Sequence, residues 1–174
     1  RIDGGFARMY RVLTAFEDAG RCRRTYAIEG LGASQFALPT AVDRLRATPR
    51  AQHSAIVLAA TDPANAYGAA LPWPSLAVDV SHRPGRKAGA VVVIVDGELV
   101  IYLERGGKSL LMWDHGHEEL AASAAALVRE GQRMGMDRAV IAKVNGAAPS
   151  LDHARLLGDA GYLPTPRGLR PPRH

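Results

Sequence analysis

Ala90-Val91-Val92-Val93-Ile94-Val95-Asp96-Gly97-Glu98-Leu99-Val100-Ile101-Tyr102-Leu103 places two apolar runs of strand length on either side of an Asp-Gly pair. That dipeptide supplies the positive φ a type I′ turn demands, so the stretch predicts a tight hairpin. Gly106-Gly107 offers a second turn into a strand from Ser109 to Trp113. Upstream, Ala55 to Ala60 is another apolar run, cut by Asp62-Pro63, where the proline drives Asp62 out of the helical region. Leu76-Ala77-Val78-Asp79-Val80 reads as a further short strand, and Ala139 to Val144 as another ahead of an Asn145-Gly146 turn. Strands joined by tight turns predict a meander or small barrel.

Helical periodicity flanks these strands. Leu120, Ala124, Leu127 and Val128 share one face of a helix from about Glu118 to Met134, with Arg129 and Arg133 near its negative end. Ser150 is an N-cap for a second helix carrying Ala154, Leu157 and Ala160 and stopping at Gly161. The proline- and arginine-rich tail from Pro164 to Arg173 cannot be helical.

At the other end, Phe6, Met9, Tyr10, Leu13 and Phe16 form one stripe of a helix that Asp3 or Gly4 starts and Gly20 closes. A basic strand follows, Arg21 to Glu29, then the Gly30-Leu31-Gly32 turn and a return strand from Ala33 to Ala37. Helix, basic strand and glycine turn read as the third helix and wing of a winged-helix unit. A short helix, Pro39 to Ala47, leads to the Pro49-Arg50-Ala51-Gln52-His53 break. The predicted fold class is α+β: residues 1–48 the C-terminal part of a winged-helix domain with a linker helix, residues 49–174 an antiparallel β-barrel-like domain with two flanking helices. The start at Arg1 rather than Met, with a helix almost at once, raises the expectation of a segment from a longer protein.

With 47% hydrophobic and 22% charged residues the chain is globular rather than disordered, and it lacks the run of about 18 apolar residues that would span a bilayer. A single Cys22, no Asn-X-Ser/Thr site and no signal segment point to the cytoplasm. Lys+Arg outnumber Asp+Glu by 22 to 17, giving a net charge of +5. Nearly all the basic residues are arginine, whose fork suits phosphate and base edges, although GC-rich coding also favours arginine.

Gly107-Lys108-Ser109 is not a phosphate loop, because Tyr102 stands where that motif needs glycine. His115-Gly116-His117-Glu118 holds three potential ligands, yet metal sites draw ligands from elsewhere too; Asp114 or His117 is explained by capping the helix that follows, and no metal is assigned. Cys22, in a strand among arginines, is read as a structural cysteine. The loop from Asp62 to Pro74 gathers a carboxylate, an amide, a phenol and an indole. It reads either as a stapled loop whose aromatics plug one end of the barrel, or as a surface where Tyr67 or Trp73 stacks on a base that Asn65 hydrogen-bonds. The basic candidates for a nucleic-acid backbone are Arg21, Arg23 and Arg24 on the wing, Arg83, Arg86 and Lys87 in the turn, and Arg105 and Lys108 across the meander.

The stretch from Tyr10 to Arg21, the segment Gly30-Leu31-Gly32-Ala33-Ser34-Gln35-Phe36, Leu58 to Gly68, Leu71-Pro72-Trp73-Pro74, Arg83 to Ala90 and Glu104-Arg105-Gly106-Gly107 together closely resemble the C-terminal end of the large helicase-related (Lhr) proteins. The resemblance implies a bacterial, actinobacterial, superfamily 2 DNA-repair helicase whose ATPase core, with its ATP and Mg, lies outside this chain, which itself carries no cofactor. It implies tandem winged-helix domains ending in a β-barrel, similar to winged-helix DNA glycosylases, with single-stranded DNA or duplex junctions, the upstream domains and a homo-oligomer as partners, no membrane, and a nucleoid-associated cytoplasmic location. The Gln-X-Gln motif of those glycosylases has no match: Gln35 is followed by Phe36 and Ala37. The expected function is a DNA-binding and assembly module; the alternative is a glycosylase-like module. Base excision would need a carboxylate or amide at a flipped base, for which Asp62 with Asn65, and then Asp152 beside His153, are the candidates.

Overall fold

The structure is a computed structural model describing residues 5–30, 32, 34–47, 54–78, 80–136 and 139–172, with the Gln132 side chain left out. The helix start expected at Asp3 or Gly4, the turn residue Leu31, Ala33, the break from Pro49 to His53, Asp79 and Arg173 lie outside those residues. The chain divides into two compact units, Arg1–Arg50 and Ala51–His174.

The first unit holds α1 (Gly5–Asp18), β1 (Arg23–Thr25), β2 (Gln35–Ala37) and α2 (Pro39–Ala47). β1 and β2 pair antiparallel, with Arg24 opposite Phe36. Gly20, at φ 71°, turns the chain out of α1 as the sequence predicts. Cys22 is buried, its thiol donating to the Leu13 carbonyl at 3.4 Å. Gln35 ties the wing turn: its amide oxygen accepts from the Ile28 N–H at 2.9 Å, and its amide nitrogen donates to the carbonyls of Ile28 and Gly32. Much of the α1 stripe stays open, with Phe6 55% and Met9 45% exposed. Phe6, Leu13, Ile28, Phe36, Leu38 and Leu45 line a groove of about 1270 Å³.

The second unit is built on a five-stranded sheet, β3 (Ala55–Ala59), β4 (Val91–Val95), β5 (Glu98–Leu103), β6 (Ser109–Met112) and β7 (Lys143–Val144), hydrogen-bonded in that order. The first four form an antiparallel meander. The Asp96-Gly97 turn has the positive φ values, 50° and 94°, that the hairpin requires. β7 lies parallel to β6, because the chain crosses over through α3 (His117–Arg133). The sheet is open at β3 and β7 and does not close into a barrel. A strand of two residues presents little to pair with, and Leu76 to Val78 are not strand at all. α4 (Leu151–Asp159) starts at the Ser150 cap, whose hydroxyl accepts from the His153 N–H. The tail, expected only to be non-helical, makes a hairpin of β8 (Leu163–Thr165) and β9 (Gly168–Arg170), and Leu169 exchanges backbone hydrogen bonds with Ile141.

Both faces of the sheet are covered, which explains the unbroken apolar run of β4. Val91, Val93 and Val95 pack with Leu127 of α3 and Leu157 of α4; Val92, Leu99, Tyr102 and Leu111 pack under Tyr67, Trp73 and Leu76. The Asp62–Pro74 loop therefore covers a sheet face instead of plugging a barrel end. A register shift between Val93 and Ile94 breaks the alternation in β5, so Val100 and Ile101 both join the helix-side cluster. No helix among the described residues is long and apolar enough to cross a membrane.

Candidate nucleic-acid interface

Not all the basic residues grouped by the sequence remain available in space. Arg24 bridges to Glu17 at 2.9 Å and lies over the rings of Tyr10 and Phe36, at 5.6 and 5.4 Å. The Glu17 hydrogen bond and charge hold its pKa above the ordinary arginine value. Arg21 lies over Phe16 at 4.5 Å and Arg23 is exposed on β1. In the second unit Arg86 turns inward, donating to the carbonyls of Asn65, Tyr67, Thr61 and Asp62 at 2.6, 3.3, 3.0 and 3.0 Å. Lys87 faces Glu104 at 3.6 Å. Arg105 lays its stem against Gly89, so the β5–β6 turn and the 83–89 turn adjoin. Arg83, Arg105 and Lys108 are exposed, without an acidic partner among the described residues.

The loop candidates are mostly held by their own fold. Asp62 accepts from the Ala64 N–H at 2.8 Å. Asn65 is 1% exposed, donating to the Ala60 carbonyl and accepting from the Tyr67 N–H. Tyr67 donates its hydroxyl to the Gly97 carbonyl and accepts from Leu99 N–H, while burial pushes its phenol pKa up. Its ring stacks on Trp73 at 6.4 Å, and Trp73 meets Tyr102 edge-on at 5.7 Å. A Cβ at Gly68 would collide with the Trp73 indole, so this tiling of rings depends on the glycine.

Two clefts open beside this loop. The first, about 460 Å³, is lined by Trp73, Leu76, Val78, Val80, His82 and Arg83. His82 Nδ1 lies 3.4 Å from a Glu104 carboxylate oxygen, and its Nε2 is buried with no hydrogen-bond partner among the described residues. The second, about 360 Å³, is lined by Val78, Trp113, Asp114, His117, Asp152 and His153. The clefts share Val78, and the Trp113 indole N–H donates to the Pro74 carbonyl at 3.2 Å on their common wall.

Asp152 is thus the one carboxylate candidate placed in a cleft. The sequence offers Asp114 as a cap and His117 as a cap or a metal ligand; their gathering with Asp152 and His153 depends on the crossover that brings the starts of α3 and α4 together. His115 goes elsewhere, to the Leu99 carbonyl at 3.2 Å and Glu98 at 3.5 Å, and no metal-holding group of three forms among the described residues.

Residues 1–56 match the family model described as "Large helicase-related protein, winged-helix domain". The chain is 48% identical, over 97% of its length, to the "Lhr helicase/ probable uracil glycosylase" of Mycolicibacterium smegmatis, and 38% identical, again over 97%, to the "Lhr helicase/uracil glycosylase" of Escherichia coli K12. It spans only 12% and 11% of those proteins' lengths. With the family's winged-helix model matched at one end and this identity carried through both units, the chain is similar along almost its whole length to a short segment of large helicase-related (Lhr) proteins.

Proposed function

We propose that the chain is a DNA-binding and assembly module of an ATP-dependent DNA-repair helicase. The observation that carries this reading is the 48% identity across both units to a segment of a protein named a helicase and glycosylase. Exposed arginines in each unit, Arg21 and Arg23 in the first and Arg83 and Arg105 in the second, support it, since phosphate contacts need cations, and these have no acidic partner among the described residues. ATP and Mg²⁺ would be bound by a helicase core elsewhere in the longer protein. The other partners are the neighbouring helicase and winged-helix domains and further copies of the chain, in a nucleoid-associated, cytoplasmic setting.

Anisotropy titration of labelled single-stranded and duplex oligonucleotides tests this with a variant combining Arg21→Ala, Arg23→Ala, Arg83→Ala and Arg105→Ala. Removing four phosphate contacts should weaken binding at least about tenfold on every sequence tried. Equal affinity of variant and parent contradicts the reading. A second reading, base excision, is favoured by Asp114 and Asp152 facing one cleft.

A further inference from the structure

The strand directions of the second unit separate its charges. β4 and β6 run toward the end that holds the Asp96-Gly97 turn, the β6–α3 link and the β7–α4 link; the 104–108 turn and the start of β7 lie at the other end. Lys87, Lys108 and Lys143, the three lysines of the chain, sit at this other end with Arg105. At the first end, residues 96–98, 114–119 and 146–153 contain no lysine or arginine and carry Asp96, Glu98, Asp114, Glu118, Glu119 and Asp152. Helix ends account for a part of this: α3 and α4 both begin there, and each N-terminus supplies roughly half a positive charge. Two such ends offset about one of the six carboxylates. Glu98 also faces His115 at 3.5 Å. Asp114 and Asp152, both exposed, have no hydrogen bond or ion pair among the described residues.

These two carboxylates border an apolar cleft. Val78, Met112, Trp113, Leu120 and Leu156 line its 360 Å³. Val78 is 50% exposed, and Leu151, the residue before Asp152, is 80% exposed. Exposed apolar side chains with a charged rim mark a protein interface. The volume lies at the small end of the roughly 300–1,000 Å³ range of pockets, which suits one or two side chains and not a whole helix. The sign of the charge disfavours DNA here, since a phosphate would meet carboxylates while the cations of the opposite end attract it. We propose that this cleft docks a basic segment of a partner protein, in which an aliphatic side chain is flanked by arginines or lysines. The aliphatic side chain fills the space between Val78, Trp113 and Leu156, and the flanking cations pair with Asp114 and Asp152. The buried anchor supplies most of the affinity because exposed ion pairs are worth little; the charges set the orientation and speed the encounter. Arg83, which lines the adjoining cleft across Val78, ends the acidic rim on that side. The inference rests on the assembly half of the function proposed above, and it puts DNA and protein at opposite ends of one unit.

The test is titration of the isotope-labelled chain with the capped peptides Gly-Arg-Leu-Arg-Gly, Gly-Arg-Gly-Arg-Gly and Gly-Glu-Leu-Glu-Gly, read by amide chemical shifts. The first should shift the Trp113 indole N–H and the amides of Val78, Leu120 and Asn145, with a Kd of roughly 1 mM. The other two should shift none of them. Asp114→Asn combined with Asp152→Asn should weaken binding about three- to tenfold, the range open to two exposed ion pairs. Val78→Trp, which fills the lip with both carboxylates intact, should abolish binding, so the idea does not hang on the Asp variants. Asp159→Asn, at the far end of α4, should leave it unchanged. Absence of cleft shifts, or equal shifts with the glycine or glutamate peptide, overturns the inference and leaves the DNA-binding reading standing. Cleft shifts produced by an oligonucleotide assign the site to nucleic acid, and cleft shifts that grow with protein concentration alone assign it to a second copy; either overturns the inference. Loss of oligonucleotide binding with the peptide result intact overturns the DNA-binding reading only.

Discussion

The Arg86 guanidinium donates to four backbone carbonyls between Thr61 and Tyr67, and so closes the loop over one face of the sheet. These are charge-assisted bonds that tie the loop together at one point, so Arg86→Met should lower stability by about 2–4 kcal/mol in urea unfolding. Lys87, one residue on, points to Glu104 instead. The linear cluster Arg83-Pro84-Gly85-Arg86-Lys87 shows charge but not direction, so the inward turn of Arg86 could not be read from it. Asn65 was legible as a loop residue, yet its burial depends on Ala60 and Tyr67 folding around it. Tyr162 offers a pH test at the same scale. Burial alone pushes its phenol up to about 12, against 10.0 in the unfolded chain. Between those values the unfolded chain has lost a proton that the folded one keeps, so this contribution is intact below pH 10 and is lost as pH rises through 12. The loss approaches about 2–3 kcal/mol, and Tyr162→Phe should remove it from the alkaline unfolding curve.

Among the elements, the two units differ in how they are held together. The sheet of the second unit is sandwiched between α3 with α4 on one face and the 61–84 segment on the other, and its two apolar clusters contain most of the buried residues. In the first unit Cys22 is the sole buried hydrophobic among the described residues, and Phe6, Met9, Ile28, Leu38 and Leu45 are exposed. Residues 51–174 made alone should therefore melt cooperatively by circular dichroism, and residues 1–50 made alone should show no cooperative transition. The tail hairpin depends on Gly168 at φ 126°, where a Cβ would run into the Ile141 carbonyl. Gly168→Ala should break the Ile141–Leu169 bridge, costing about 1–3 kcal/mol by thermal unfolding. Helices and hairpins were legible because local signals specify them: the 3.6-residue period of α3, the Ser150 cap of α4, Asp96-Gly97 between β4 and β5. β7 was legible as the end of the strand expected over Ala139 to Val144, but its parallel pairing was not, since Lys143 meets Ser109 only across the whole of α3. The open sheet follows from the same pairing.

For the whole molecule, the net charge of +5 resolves into paired and unpaired parts. Arg24, Lys87 and Arg86 have partners inside the fold; Arg21, Arg23, Arg83, Arg105 and Lys108 have no acidic partner among the described residues. Sequence reasoning found the basic segments and one member of the carboxylate cleft, Asp152. It could not assemble that cleft, because Val78, Asp114 and Asp152 are joined only by tertiary packing. The central claim is that the unpaired cations bind the phosphate backbone of DNA, and each contact should then release counterions. The most direct measurement is the affinity of the chain for a labelled oligonucleotide across a salt series. Five neutralised phosphates at roughly 0.7–0.9 counterions each predict a log–log slope of about −4, for single strands and duplex alike. Binding that is absent at about 50 mM salt, or a slope near zero, would contradict the account.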